Sequence, residues 1–306
     1  MQPQRRDNDE TGRRVTAADV LCASHSIAHY SRPSVAGEYL TYKRHLFAHR
    51  LGGRRASLHF APQQPREAYV IWKVAHHLGL RIVATWQPQA VASVLWHDDT
   101  VIPPMLERAS ANLINGRCVD ISKRRVDEAM AAVLGYRLAI DPTVASGVCV
   151  RKSDANGTHD GEVMRCPVAR PDGRSVYQRL VANTVSDSKV EDLRAVVVGA
   201  SLPLVYVKHR PLGRRFSNTN SEVRVADADT VFDESETRQL LVLAAELRLD
   251  LGELDVLRDR EDGRIYVVDV NNTPSGPPNH LPRPERRRAV ELISSAVERE
   301  LLNRPS

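Results

Sequence analysis

Two carboxylates and one amide near the end of the chain have the types and spacing of a ligand set for a hard cation. Asp255 lies fourteen residues before Asp269, and Asn271 follows Asp269 by two. The segment between them, 260–264, is a turn signal flanked by apolar residues, which predicts a β-hairpin with Asp255 opposite Asp269. Because residues two apart share a strand face, the three side chains would lie together. Carboxylate and amide oxygens of this kind bind Mg²⁺ in proteins.

The predicted hairpin has one polar and one apolar face. Glu253 is expected to lie on the polar face with the three candidate ligands. The apolar face is expected to carry Leu254, Val256, Tyr266, Val268 and Val270. The alternative interpretation is a surface hairpin whose acids are only solvated, since single acids are mostly exposed. Three hard ligands in register favour the metal site over that alternative.

Lysine is rare in this chain, at six of the 43 basic residues, and one lysine has a position that suits phosphate binding. Lys152 ends the predicted strand 147–152 and precedes the small, polar loop 153–161. An ammonium at the edge of a pocket and mobile backbone N–H groups could together bind phosphates. The alternative is a surface lysine before a turn.

Arginines near predicted strand ends could also bind an anionic ligand. Arg210 follows a strand and precedes a basic loop, and its permanent charge and forked donors suit a clamp on a transferring phosphoryl group. The alternative is a solvated arginine in that loop. Arg258 either projects to the hairpin face opposite Asp255 or reaches substrate from the strand end. The sequence leaves the position of Arg194 undecided in the same way. The segment 97–100 could help to bind substrate.

The rest of the chain alternates between helix and strand signals, as in an α/β protein. Residues 1–15 are polar and arginine-rich and are expected to be disordered. Helix signals cover 67–79, 122–134, 235–247 and 285–302, with Ser122 and Ser235 as N-caps and Gly135 as a C-cap. Strand signals cover 80–85, 91–96, 147–152, 162–167, 176–181, 193–198 and 202–208.

Composition argues against several classes of protein. The 306 residues are 42% hydrophobic and 26% charged, which is typical of a globular chain, and no apolar run approaches the ~20 residues of a membrane span. The N-terminus lacks the apolar region of a secretory signal, and the net charge of +5 comes without a basic-aromatic stripe. Four scattered cysteines without a Cys-x-x-Cys pair are expected to be reduced. We therefore expect a cytoplasmic protein that binds neither membrane nor nucleic acid.

The order of an Asp, about a dozen residues, and then an acid-x-Asn pair resembles the magnesium signature of the ATP-grasp superfamily. In that superfamily the last pair is usually Glu-x-Asn, whereas this chain has Asp269-x-Asn271, which is one methylene shorter. The order of predicted elements over 115–300 is similar too. The sequence Lys208-His-Arg210, with the later Asn218, resembles the RimK-like carboxylate–amine ligase branch, although His209 separates the pair here.

The resemblance implies an α/β (α+β) ATP-grasp fold preceded by a small α/β domain. The implied divisions are a disordered tail (1–15), an N-terminal α/β domain (16–114), a small lobe with the phosphate lid 153–161 (115–181), and a C-terminal lobe with the metal hairpin (182–306).

The resemblance also implies roles for the residues that match the family pattern. The residues expected to contact the nucleotide are Lys123, Lys152, Gln178, Arg179, Leu180, Lys208 and Asn218, with backbone groups around Arg179 and Leu180 at the adenine edge. The residues expected to act in catalysis are Arg210, Lys152 and Arg258. The residues expected to hold the metal are Asp255, Asp269 and Asn271.

These roles imply an enzyme that uses ATP and Mg²⁺, in the family commonly two ions, with Mn²⁺ as a substitute. The expected reaction joins a small-molecule carboxylate to an amine through an acyl phosphate, which gives an amide or peptide bond with ADP and phosphate. An ATP-grasp kinase acting on a small-molecule hydroxyl is one alternative, and a non-catalytic nucleotide-binding protein is another. Homodimers are common among members of the family.

Overall fold

The computed structural model describes residues 33–51, 56–102, 112–217 and 220–303. The chain divides into two compact units, 1–41 and 42–306. Of the first unit only 33–41 are described, and they are helical, with the Thr41 hydroxyl donating to the Gly37 carbonyl. The helix α1, Pro33–Leu51, continues into the second unit.

The second unit begins with a parallel four-stranded sheet. Its strands are β1 (Ser57–Pro62), β2 (Arg81–Val83), β3 (Ala90–Trp96) and β4 (Leu113–Ile114), in the order β2-β1-β3-β4. The helix α2, Val70–His77, connects β1 to β2 and is buried along most of its length. Parallel strands covered by helices are apolar on both faces, which explains the apolar runs in this part of the sequence.

A helix and a small antiparallel sheet follow. The helix α3, Lys123–Leu134, begins at Ser122, whose hydroxyl accepts from the Arg125 N–H, and ends at Gly135, which has a φ of 79°. Both caps were predicted from the sequence and are confirmed. The sheet consists of β5 (Gly147–Ser153), β6 (Glu162–Cys166) and β7 (Ser175–Arg179), in the order β6-β5-β7.

The largest sheet is antiparallel. Its strands are β8 (Thr184–Ser186), β9 (Lys189–Val198), β10 (Val205–Pro211), β11 (Glu222–Ala226), β12 (Leu251–Arg258) and β13 (Ile265–Asn271). The order is β11-β10-β9-β12-β13, with β8 on β9. The helices are α4 (Glu234–Glu246) and α5 (Arg283–Val297), with short 3₁₀ turns at Leu212–Arg214 and Ala228–Thr230 and a π turn at Glu298–Leu302.

Both faces of the large sheet are covered, and the strand alternation divides its residues between two cores. Leu193, Ala195 and Val197 face a core shared with α3 and α4. Val196 and Val198 face the other core, shared with α2, α5 and the parallel sheet. Toward the start of β9 this second face changes from apolar to charged, because the alternating positions there are Asp192 and Arg194.

The predicted N-cap of α4 is wrong. The N-cap of α4 is Asp233 and not Ser235, because Asp233 accepts from the Glu236 N–H while the Glu236 carboxylate accepts from the Asp233 N–H. This reciprocal capping box starts the helix two residues earlier than Ser235 would. The predicted mixed α/β class is confirmed. No helix within the described residues is long and apolar enough to cross a membrane.

Candidate active site

The acidic hairpin forms with the predicted register at its open end. Asp255 pairs with Asp269 and Glu253 pairs with Asn271. The register then shifts, so that Leu257 pairs with Tyr266. This β-bulge was not predicted, and it places Tyr266 on the Asp255 face instead of the apolar face, because cross-strand partners share a face.

The bulge also corrects the position of Val268. The sequence alternation assigned Val268 to the apolar face, but Val267 takes the place opposite Val256. Val268 instead lines a cavity of about 140 Å³ together with Leu257 and both aspartates. The hairpin therefore contributes apolar side chains as well as carboxylates to the same cavity.

The cavity lies among the small antiparallel sheet, the large sheet and the 154–161 loop that joins β5 to β6. It collects most of the side chains selected from the sequence. The predicted residues that line it are Lys123, Lys152, Gln178, Arg179, Leu180, Arg210, Asp255 and Asp269. Residues far apart in the chain are thus brought together at one place.

Two predicted residues lie at the edge of the site or behind it. Asn271 is not among the cavity-lining residues, and its side-chain oxygen accepts from the Thr273 N–H at 2.9 Å. Lys208 is only 2% exposed and donates to Asp255 Oδ1 at 3.2 Å, so it supports the carboxylate from inside the sheet. Asn218 lies outside the described residues.

Arg258 is not brought to the cavity. Its guanidinium binds the carboxylate of Glu236 on α4 and donates to the Val231 carbonyl at 3.0 Å. This is the alternative in which the side chain projects away from Asp255. The position of Arg258 therefore does not support its catalytic assignment, because both of its partners, Glu236 and the Val231 carbonyl, lie outside the cavity lining.

Asp255 is a fully paired carboxylate. Arg194 donates from Nε to Oδ1 at 2.8 Å and from a terminal nitrogen to Oδ2 at 2.9 Å, and Lys208 contacts Oδ1 as well. Burial by itself would raise the pKa of Asp255, but the two cations hold it well below its usual range. Asp255 is therefore ionised throughout the pH range in which the protein is expected to be folded.

Glu253 is the second carboxylate that faces Arg194. The distance from the Arg194 guanidinium to Oε2 is 3.2 Å, and Glu253 is only 3% exposed. Burial raises the pKa of Glu253 to about 7 despite that arginine. Arg194 thus contacts one half-buried acid, Asp255, and one buried acid, Glu253.

Asp269 lies near a different pair of cations from Asp255, namely Lys123 and Lys152. Lys123 Nζ lies 3.8 Å from Asp269 Oδ1, and Lys152 Nζ donates to the adjacent Val268 carbonyl at 3.2 Å. Burial raises the pKa of Asp269, and the two lysines oppose that rise. Burial also lowers the pKa of Lys152 to about 8, with Asp269 opposing and Lys123 adding to the effect.

The loop 154–161 covers the cavity and is held by specific contacts. Lys123 Nζ donates to the Ala155 carbonyl at 2.7 Å, and the Asn156 N–H donates to Thr100 Oγ1 at 2.8 Å. Four consecutive residues of the loop, 158–161, line the cavity. A polyanion that recruited Lys123 would remove one of these contacts, so the lid and the ligand share a cation.

The other end of the lid packs on an aromatic ring. A Cβ atom at Gly161 would lie 2.7 Å from the Phe216 ring, closer than side chains approach each other. Glycine is therefore required for this contact. Phe216 also lines the cavity and belongs to the basic loop that follows β10.

Arg210 lies on the floor of the cavity. It forms an ion pair with Asp192 at 2.9 Å and donates from Nε to Asn220 Oδ1 at 3.0 Å. Arg215 from the same loop donates to Asn183 Oδ1 at 2.7 Å. These contacts fix the guanidinium of Arg210, which is 12% exposed, at the cavity surface.

Several cavity residues were not selected from the sequence. They are Asp192, Asn183, Arg215 and Phe216, and Arg194 was left open. The signal that could have identified Asp192 and Arg194 is the alternation along β9, which places charges at two successive positions of one face. Their pairing with β10 and β12 needed the sheet order, which sequence alternation does not supply.

An apolar slot adjoins the charged groups. Its lining side chains come from three strands, the segment after α3 and the segment after β7, and they are Leu138, Val150, Leu180, Val181, Leu257 and Val268. A planar apolar group could stack there while an attached anion reached the lysines. Such a combination of an apolar lining and a few polar groups is typical of small-molecule sites.

The donor set fits a magnesium ion that is held jointly with a ligand. Within 33–51, 56–102, 112–217 and 220–303 no group of three His, Cys, Asp or Glu side chains could hold a metal ion. Asp255 and Asp269 oppose each other across the hairpin, and the Asp269 side chain is 27% exposed. Mg²⁺ is commonly bound by one or two carboxylates plus substrate phosphates and waters, so two aspartates are a sufficient protein contribution.

Comparisons with known proteins give weak similarities. No family model and no curated protein matches the chain. Among solved structures, a D-alanine–D-alanine ligase from Bacillus anthracis matches with 12% identity and a TM-score of 0.49 over 81% of this chain and 97% of the other. The macrocyclase MdnC with its precursor peptide MdnA, from Microcystis aeruginosa, matches with 13% identity and a TM-score of 0.46 over 81% and 99%.

A third match is the ATP-grasp ligase PsnB with a phosphomimetic variant of a minimal precursor, Mg and ADP. It has 14% identity and a TM-score of 0.40 over 58% of each chain, so the match spans less than two thirds of PsnB. These are similarities in arrangement only. They do not establish membership of a family for this chain.

Proposed function

We propose that this chain is an ATP-grasp enzyme that binds MgATP in the cavity and ligates a carboxylate to an amine. The observation that carries the proposal is the opposition of Asp255 and Asp269 to Lys123, Lys152 and Arg210 around one lidded cavity. Carboxylates that can share a metal ion, next to cations that can contact phosphates, are the parts that phosphoryl transfer requires.

The nucleotide would lie with its base in the apolar slot and its phosphates toward the lysines. Leu180 and Val181 follow the last strand of the small sheet, where backbone groups can bind the edge of a base. Lys152 lies on β5 and Lys123 in the first turn of α3, and both side chains line the cavity. The N-terminal end of α3 favours the negative charge of a phosphate.

Asp255 and Asp269 would hold the metal, with Asn271 at the strand end as a further oxygen donor. When bound, Mg²⁺ would neutralise the β- and γ-phosphate charge and favour in-line transfer. Arg194 and Lys208 keep Asp255 ionised and fix its orientation. Asp255 accepts hydrogen bonds from two cations, whereas the nearest cation to Asp269 is Lys123 at 3.8 Å, so Asp269 has more capacity left for a metal ion.

In the proposed reaction a substrate carboxylate oxygen attacks the γ-phosphorus and ADP leaves. The amine nitrogen then attacks the acyl carbon, the bond from that carbon to the bridging oxygen breaks, and phosphate leaves with that oxygen and the bonding electron pair. The nitrogen loses a proton to give the amide. Arg210 would stabilise the charge that spreads over the transferring group. The lid 154–161 would exclude water, which otherwise hydrolyses the acyl phosphate.

The test is phosphate release with ATP, Mg²⁺ and a panel of acid and amine pairs, which should require both co-substrates. Asp269→Asn should lower turnover at least ~100-fold, since it removes charge at the phosphoryl centre. The matched control, Asp229→Asn, changes an exposed aspartate in a distant 3₁₀ turn and should keep full turnover. A stable phosphorylated product without phosphate release would favour the kinase alternative, and full activity of Asp269→Asn would contradict the metal assignment.

A further inference from the structure

Two free thiols lie side by side in the stem of the hairpin that carries the lid. Cys149 on β5 and Cys166 on β6 have Sγ atoms 3.1 Å apart. Gly147 pairs with Cys166, so Cys149, two residues further along β5, lies on the same sheet face as Cys166. The strand twist brings this diagonal pair of sulfurs together.

The geometry needs only a small adjustment to form a bond. A disulfide has an S–S length of about 2.05 Å, so the two sulfurs must approach by about 1 Å. Cys149 is fully buried and Cys166 is half-buried, so a reagent from solvent reaches Cys166 first. Cys118, the remaining cysteine within the described residues, is fully buried in the core beneath α3.

We propose that Cys149 and Cys166 are a dithiol modification site, which a small disulfide such as oxidised glutathione converts into an intramolecular disulfide. The Cys166 thiolate attacks one sulfur of oxidised glutathione and releases one glutathione thiolate. The Cys149 thiolate then attacks Cys166 Sγ in the mixed disulfide and releases the second glutathione. The two thiol protons pass to the two glutathione thiolates, and two electrons reduce the glutathione disulfide.

Burial raises the pKa of the Cys149 thiol to about 12, and its contact with Cys166 adds to the rise. Burial therefore disfavours the second displacement, because the Cys149 thiolate is the attacking species in that step. Once formed, the bond encloses the residues 150–165, which include Lys152 and the entire lid loop. The cross-link would thus close the lid hairpin covalently at its stem.

The experiment uses the reduced full-length chain, oxidised glutathione, a quench with N-ethylmaleimide, and trypsin digestion without reductant. Trypsin cleaves after arginine except before proline, so the fragments 138–151 and 166–174 each carry one of the two thiols. We expect these fragments to be joined in the oxidised sample and separated by dithiothreitol. A link that involves Cys22 or Cys118 would overturn the proposal, as would a glutathione adduct on Cys166 that persists without the link.

Variants assign the link to this pair. Cys149→Ser and Cys166→Ser should each abolish it, whereas Cys118→Ser should leave its yield unchanged within twofold. Cys166→Ala provides a second variant at the half-buried position, and circular dichroism of each protein establishes that it is folded. A disulfide between any other pair of fragments that forms in folded Cys166→Ala and also in the wild type would contradict the assignment. None of these measurements depends on ATP or on the proposed ligase activity.

Discussion

At the scale of single residues, the hairpin carboxylates that line the cavity are paired with cationic side chains. Asp255 is held by Arg194 and Lys208, and Asp269 faces Lys123. A buried carboxylate without such partners would be costly, which explains why the large sheet tolerates these acids. In the proposed complex, the phosphates would compete with the Ala155 carbonyl for Lys123.

The proposed binding of a nucleotide at Lys152 should depend on pH. Burial lowers its pKa to about 8, so at pH 8.5 much of it is neutral in the free protein. Phosphates favour the charged ammonium, so ATP binding at that pH should take up protons and weaken as the pH rises further. Calorimetry in two buffers with different ionisation enthalpies measures this uptake.

Two variants of Lys152 distinguish the effect of its positive charge from the effect of its protonation. Lys152→Arg keeps the charge and should lower the proton uptake, with the remainder assigned to Lys208, whose pKa burial also lowers to about 8. Lys152→Met should weaken ATP binding by about 1–3 kcal/mol, the scale of one charge-assisted contact. Unchanged uptake in Lys152→Arg would show that Lys152 does not meet the phosphates.

The same shift has a defined effect on stability. Between pH 8 and the ordinary lysine pKa, the unfolded chain binds a proton at Lys152 that the folded chain does not. Stability rises with pH wherever the unfolded state binds more protons. Lys152 therefore contributes a rise in the free energy of unfolding over that window in the wild type, and Lys152→Met should remove that contribution.

At the scale of elements, the lid depends on the contact between Gly161 and Phe216. Gly161→Ala adds a methyl group 2.7 Å from the ring, so the lid or the ring must move. We expect faster hydrogen exchange over 154–161 and weaker nucleotide binding. Gly213→Ala is the matched control, because a Cβ there meets nothing within 4 Å.

A second substitution tests the cause of that effect. In the double variant Gly161→Ala with Phe216→Ala, the ring is removed and space returns, so lid exchange should shift back toward that of Phe216→Ala alone. If the double variant exchanges faster than either single one, the two residues act independently and the packing explanation is contradicted.

Local signals predicted several elements closely, and tertiary contacts decided the rest. Ser122 and Gly135 fixed both ends of α3, because capping chemistry is local. The predicted hairpin register holds at the open end, where Asp255 pairs with Asp269, but it is off by one residue next to the turn, where Leu257 pairs with Tyr266. The bulge beyond Asp255 has no signal in the alternation, and it changed the faces of Tyr266 and Val268.

The candidate site shows the same division. Lys123, Lys152, Arg210 and both aspartates could be chosen by residue type and position, and the structure brings them to one cavity. The role of Arg194 could not be predicted, because the alternation on β9 does not show whether its polar face is exposed to water or covered by other residues. Its carboxylate partners follow from the pairing of β9 with β12.

At the scale of the whole molecule, the site lies where the apolar cover of the large sheet ends. One face of that sheet packs on α2 and α5 through residues such as Val196 and Val198, and the same face carries Arg194 further along β9. The polar site and the hydrophobic core therefore lie on the same face of the same strand. Loss of packing between the parallel sheet and the large sheet should disturb the site as well as the fold.

Asn115 is the residue that joins these two sheets. It is fully buried, has a φ of 57°, and follows β4. Its side-chain oxygen accepts from the backbone N–H groups of Asp250 and Leu251 at 2.8 and 2.9 Å, while its amide donates to the Leu251 carbonyl at 2.7 Å. Leu251 is the first residue of β12, the strand that ends in the acidic hairpin.

Asn115→Ala should destabilise the protein by at least about 2 kcal/mol, because two buried N–H groups lose their acceptor and each costs roughly 1–3 kcal/mol, and because alanine tolerates the left-handed backbone less well than asparagine. Denaturant unfolding measures the loss, and the exposed Asn303→Ala is the control. At a temperature where the variant is folded, its ATP affinity should also fall, since β12 carries Asp255. A stable variant with full affinity would show that β12 is positioned by its sheet neighbours alone, without the connection from the parallel sheet.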